Sequence, residues 1–168
     1  RRMNPVMEGV VTIGTIEGGA KDNIIADKVV MTGTIRSFSP EVRQRLLEEL
    51  RRACAVVEPL GGHFELDILT GYPPLANDPQ AAAVMSAALQ SLLGEDKVLN
   101  TPKMMSAEDF SFMAQAVPGC FLRLGVFNPE WGRHYPVHTP TFRMDEDALP
   151  VGTAALVATV LAWLDQPA

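Results

Sequence analysis

Apolar residues recur along the chain with two different periods. Residues 9–18 (GVVTIGTIEG) and 28–36 (KVVMTGTIR) are runs of Val, Ile and Thr and predict two strands. The segment between them, EGGAKDNIIAD, holds the Gly18-Gly19 pair and is longer than a tight hairpin turn. Ser39-Pro40 then reads as a helix N-cap followed by proline at the first helical position. From there Val42, Leu46, Leu50, Cys54 and Val57 recur at helical spacing, and Gly61-Gly62 stops the helix. In HFELDILT (63–70), Phe64, Leu66 and Ile68 alternate with His63, Glu65 and Asp67, which predicts a strand with one wet face.

GYPPLANDPQ (71–80) is rich in turn formers and is the predicted domain boundary. Beyond it, Asp78-Pro79 starts a helix that runs to about Leu93 and is closed by Gly94. Ser106 is expected to open a second, short helix. GCFLRLGVF (119–127) reads as a buried strand, and Asp145 opens a final helix. No internal repeat is visible. The order strand, strand, helix, strand in the first part lacks one strand and one helix of the split βαββαβ unit. The second part offers two helices before its only strand. Both halves read as pieces of something larger.

Composition narrows the class of partner. The chain has 168 residues, 47% of them hydrophobic and 20% charged, enough apolar content to bury a core. A net charge of -6 argues against nucleic acid, whose phosphates need a basic face. The most apolar run, ALPVGTAALVATVLAWL, is short for a membrane span and suits a buried helix. The opening RRMNPVMEG is too short and polar for a signal peptide. Cys54 and Cys120, far apart and in apolar settings, fit reduced thiols of a cytoplasmic protein.

The candidate chemistry is sparse. His134 and His138 lie four apart in RHYPVHTP, but Pro136 between them makes a shared helix face improbable, so helical zinc-site spacing does not apply. Spacing alone leaves open whether His138 is a ligand or a surface-loop histidine. In MMSAEDF (104–110), Ser106 and Asp109 fit a capping box and Glu108 suits a helix N-terminus. A functional carboxylate would occupy the same place. Asn23 follows a glycine-rich loop and could be a turn former; Arg36 could be a solvated strand end. There is no phosphate-binding glycine loop, no dinucleotide fingerprint and no nucleophile-elbow serine.

Taken in order, VVTIGTIEGGAKDNIIAD, VVMTGTIRSF, GYPPLANDP, MMSAEDF and PVHTPTFRMDEDALPVG resemble the dimeric zinc-dependent amidohydrolases and peptidases of the aminoacylase/carboxypeptidase type, nearest to the hippurate and indole-acetyl-amino-acid hydrolases. The resemblance covers essentially the whole chain. It implies an α/β chain: residues 1–73 as the second half of a lid and dimerisation domain, an antiparallel sheet with helices on one face, and residues 74–168 as the C-terminal part of an α/β metallohydrolase catalytic domain. His138 matches the last metal ligand, from a Leu-His-x-Pro-like motif, and His134 is its neighbour. Asn23 matches the asparagine of Gly-Gly-x-x-x-Asn-x-Ile-Pro-Asp, with Ala26 where the proline usually stands. Arg36 matches the arginine of Gly-Thr-x-Arg. The two lid residues are implied to hold substrate in the partner subunit's site, and Glu108 is a candidate neighbour of the site.

The same resemblance implies two divalent metal ions, zinc with manganese or cobalt as substitutes, of which this chain supplies at most one ligand. The general base and the other ligands are expected outside it. The substrate implied is an N-acyl amino acid or a similar small amide, the assembly a homodimer through the lid, with no nucleic acid and no membrane. This chain alone is expected to be inactive. The rival reading is a non-catalytic dimerisation or interaction module derived from the lid.

Overall fold

The computed structural model describes residues 3–4 and 6–166. It is of the α/β class and divides into two compact units. The first runs to Leu75 and includes Lys103–Asp109; the second takes Ala76–Pro102 and continues from Phe110.

In the first unit, β1 (Gly9–Gly18) pairs antiparallel with β2 (Val29–Ser37), as the Val/Ile/Thr runs predict. The register slips between Ile13 and Thr15, so Gly14 is the extra residue of a bulge. Gly33 sits opposite, where a Cβ would lie 2.1 Å from the Thr12 carbonyl oxygen; only glycine permits that approach. Helix α1 (Pro40–Cys54) starts where the sequence says, with the Ser39 hydroxyl accepting the Val42 N–H at 3.2 Å. Val42 and Leu46 are its buried residues. They close on Gly9, where an added Cβ would meet both side chains at 2.9 Å. A 3₁₀ segment, Ala55–Leu60, continues α1 and ends at Gly61 in the left-handed region, φ 86°. The 103–109 segment is held here by Lys103, which pairs with Glu8 at 2.9 Å and lies over the Phe38 ring at 5.6 Å.

In the second unit, α2 (Pro79–Leu93) is capped by the Asp78 carboxylate, which accepts the Ala81 N–H at 2.9 Å. It buries Ala81, Met85 and Leu89, spaced four apart on one face. Met85 and Leu89 form a core with Ala155 of α4 (Ala148–Leu164), flanked by Val98, Cys120 and Leu122. Between them in sequence lies the short helix α3 (Phe110–Ala116).

Three expectations need correction. HFELDILT and GCFLRLGVF are not strands: neither has a ladder partner among the described residues, and a strand is defined by its partner. The alternation read from the sequence survives as alternating burial, with Phe64, Leu66 and Ile68 half-buried and Leu122, Leu124 and Val126 likewise. The backbone of the second segment is met partly by a side chain. The Asn77 amide donates to the Phe121 carbonyl at 3.0 Å and accepts the Phe121 N–H at 2.9 Å. Lastly, the helix expected from Ser106 starts at Phe110, because the Ser106 hydroxyl donates to the Glu108 carboxylate at 3.2 Å instead of capping the backbone.

Candidate functional site

Arg36 projects from the end of β2, opposite Val10 in the ladder. Its Nη1 donates to the Met105 carbonyl oxygen at 2.8 Å, across 69 positions of sequence. A guanidinium has five N–H donors, so the others stay available for an oxyanion. This bond joins Arg36 to the MMSAEDF segment, in which half-buried Glu108 accepts the Ser106 hydroxyl. Two of the sequence candidates thus share one region of the first unit.

Asn23 lies elsewhere in that unit. It is exposed in the loop beyond the Gly18–Val29 end of the hairpin, with the Ile24 N–H closing a turn onto the Lys21 carbonyl at 3.2 Å. Roughly 24 Å of strand separates Val29 from Arg36 at about 3.4 Å per residue. The ladder itself therefore does not bring the two together.

His138 belongs to the second unit and is exposed in a turn that its neighbours tie down. The Thr139 hydroxyl donates to the Pro136 carbonyl at 2.9 Å, and the Phe142 N–H to the Thr139 carbonyl at 3.1 Å. Among the described residues it is the one non-glycine with positive φ, at 64°. The left-handed region costs an L-residue roughly 1–2 kcal/mol, and such strain collects at ligand clamps and active sites. His134 is occupied differently, stacked on Phe127 with ring centroids 4.1 Å apart.

The same loop contains a feature the sequence reading missed. Arg143 lies over the Trp131 ring at 4.0 Å and Arg133 over the Tyr135 ring at 4.6 Å, while the two rings meet edge to face at 5.7 Å. The hydrogen bond from Arg133, followed by the charges of Arg133 and Arg143, holds the Tyr135 phenol below its ordinary pKa. The spacing of Trp131, Arg133, Tyr135 and Arg143 is the only sequence signal, and it becomes meaningful once the loop closes on itself. Elsewhere in the unit, burial pushes the Cys120 thiol up, with the nearby Asp78 charge adding to it, which disfavours the thiolate.

No group of three or more His, Cys, Asp or Glu side chains able to hold a metal ion occurs among the described residues. By themselves, then, these residues do not fit a metal centre. A single imidazole leaves a divalent ion short of the roughly four ligands that zinc takes.

The chain matches peptidase family M20/M25/M40 over residues 4–162 and belongs to that family. It is 36% identical over 157 residues to thermostable carboxypeptidase 2 of Saccharolobus solfataricus, a match covering 92% of this chain and 39% of that protein. It is 32% identical over 171 residues to IAA-amino acid hydrolase ILR1-like 6 of Arabidopsis thaliana, covering 98% of this chain and 37% of that protein. The crystal structure of the Bacillus subtilis YXEP protein, a dinuclear metal binding peptidase of the M20 family, is similar with a TM-score of 0.74 at 27% identity, over 92% of this chain and 42% of that one. The chain spans about two fifths of the length of the curated relatives it matches.

Proposed function

We propose that this chain is part of a metal-dependent amidohydrolase that cleaves the amide bond of N-acyl amino acids or related small amides. The observation that carries the reading is His138. It stands in PVHTP within the matched stretch of an M20 family chain, and its backbone is held at φ 64° in a tied turn. Carboxypeptidase and IAA-amino acid hydrolase relatives that match over more than nine tenths of this chain support the substrate class.

In this reading His138 is one ligand of a centre whose other ligands lie outside this chain, with zinc the leading candidate. The dinuclear metal site named for the YXEP protein supports two ions. Residues up to 73 act as half of a lid and those from 74 onward as the end of a catalytic domain. Arg36 holds a substrate carboxylate through the N–H donors that Met105 leaves free, and the exposed Asn23 amide donates to a substrate carbonyl. Glu108, in the segment whose Met105 carbonyl Arg36 holds, is a neighbour of the site rather than a reacting group. Two lids pairing across a two-fold axis would place Arg36 and Asn23 in the partner subunit's site. The cytoplasm is the compartment proposed, from two unpaired cysteines.

A second reading, a non-catalytic interaction module, draws on the apolar side chains that β1 and β2 leave exposed, including Ile13, Ile16 and Met31. One experiment separates the two. In the longer polypeptide that the enzyme reading requires, His138→Ala should lower turnover of an N-benzoyl amino acid by at least about a hundredfold, with metal content reduced, since losing a ligand weakens both affinity and Lewis acidity. Turnover close to that of the parent with full metal occupancy would make His138 a loop histidine.

A further inference from the structure

We propose that Arg133 and Arg143, spread over the faces of Tyr135 and Trp131, form a binding site for a compact oxyanion, a carboxylate or a phosphate. The inference rests on the 129–147 loop alone and does not require that His138 meet a metal. A guanidinium lying over an aromatic face keeps its N–H donors at its edge, where they can grip two oxygens of one anion. Here the two aromatic rings meet edge to face at 5.7 Å, so one aromatic pair carries both guanidinium groups.

Arg133 lies over the Tyr135 ring and Arg143 over the adjoining Trp131 ring, and both charges act on the Tyr135 phenol, so two like charges are gathered on one neutral aromatic pair. That arrangement is self-repelling until an anion joins it. The carboxylates of the loop do not supply the missing charge. Glu130, Asp145, Glu146 and Asp147 all lie nearby in sequence, yet none forms an ion pair with Arg133 or Arg143 among the described residues. The Asp145 carboxylate is turned to the start of α4, where it accepts the Asp147 N–H at 3.1 Å. In a chain of net charge -6, two cations brought together without a carboxylate stand out as a local exception.

Trp131 supplies the readout. The chain has two tryptophans, so Trp163→Phe leaves Trp131, with Arg143 4.0 Å above it, as the only emitter at tryptophan wavelengths. In that background, inorganic phosphate and succinate are titrated separately at constant ionic strength against a chloride control. A saturable change in Trp131 emission is expected with at least one of them. Arg133→Gln and Arg143→Gln should each raise the half-saturating concentration at least fivefold. Arg143→Lys, which keeps the charge but loses the planar fork, should weaken binding by a smaller factor. Response to succinate alone assigns the site to carboxylates, response to phosphate alone to phosphates, and either supports it. No saturable response to either anion, a response equal to that of chloride, or one unchanged in the double Arg→Gln variant overturns it.

Discussion

The β1–β2 hairpin with α1 and the α2–α4 pair use apolar residues in opposite ways. In the first, the large side chains of the helix do the packing, Val42 and Leu46 closing on Gly9, while the strands show water Val10, Val11, Ile13, Ile16 and Met31. In the second, α2 turns Met85 and Leu89 inward, but α4 buries its small residues. Ala155 is 2% exposed and Gly152 meets Leu124, where a Cβ would come within 2.8 Å; Leu156, Val157, Val160 and Leu161 are all more than half exposed. A helix apolar all round gives no amphipathic signal for its inner face. What selects that face in α4 is the close backbone approach that glycine and alanine permit. Hydropathy therefore says that a segment is suited to burial, and only contacts say which side of it is buried.

The contrast within the second unit is the easiest to break. Met85→Ala should destabilise it by about 2–5 kcal/mol, the range for emptying a core position, read as a lower midpoint in denaturant unfolding. Leu161→Ala, on the outward face of α4, should cost no more than about 0.5 kcal/mol. Equal losses at the two positions would mean that the outward face of α4 is packed in solution.

The helix starts give a sharper but smaller test. Ser39 and Asp78 each accept a backbone N–H, whereas Asp147 at the start of α4 makes no side-chain cap bond. Ser39→Ala and Asp78→Ala should each cost about 1 kcal/mol, and Asp147→Ala should fall within a few tenths of zero by the same denaturation measurement. A loss at Asp147 matching the other two would show a cap forming there.

The smallest effect concerns pH. The Arg133 hydrogen bond lowers the Tyr135 pKa, so ionisation is favoured in the folded state. The linked stability is present only above the unfolded tyrosine value near 10 and is lost as pH falls through the lower folded value, so none of it is felt at neutral pH. Ultraviolet titration of the phenols should show Tyr135 ionising early, and Arg133→Gln should move it upward. An unmoved titration would mean that the guanidinium does not bond the phenol.

Some of this was legible and some was not, for reasons that differ by residue. The starts of α1 and α2 could be read because a cap is a contact across three residues: Ser39 with Val42, and Asp78 with Ala81. Ser106 has the same local credentials, but its hydroxyl turns to Glu108 while Arg36, from the other end of the sequence, holds the Met105 carbonyl. Tertiary contact overrode the local pattern there. At the candidate site, the identity of His138 and its flanking prolines were readable. Its left-handed backbone and the Arg133/Arg143 cluster were not, because both depend on how the loop closes.

By itself the sequence determined what short-range chemistry can determine: the hairpin strands, two capped helix starts, the Gly61 stop, the alternating burial of 64–68, and the motif order that marks the family. The tertiary structure decided which alternating segments find a ladder, which face of α4 is inward, and which side chains meet Arg36, Tyr135 and Trp131. Those outcomes turn on partners tens of residues away. A local pattern constrains a residue's own backbone, but it carries no information on what will be brought against it.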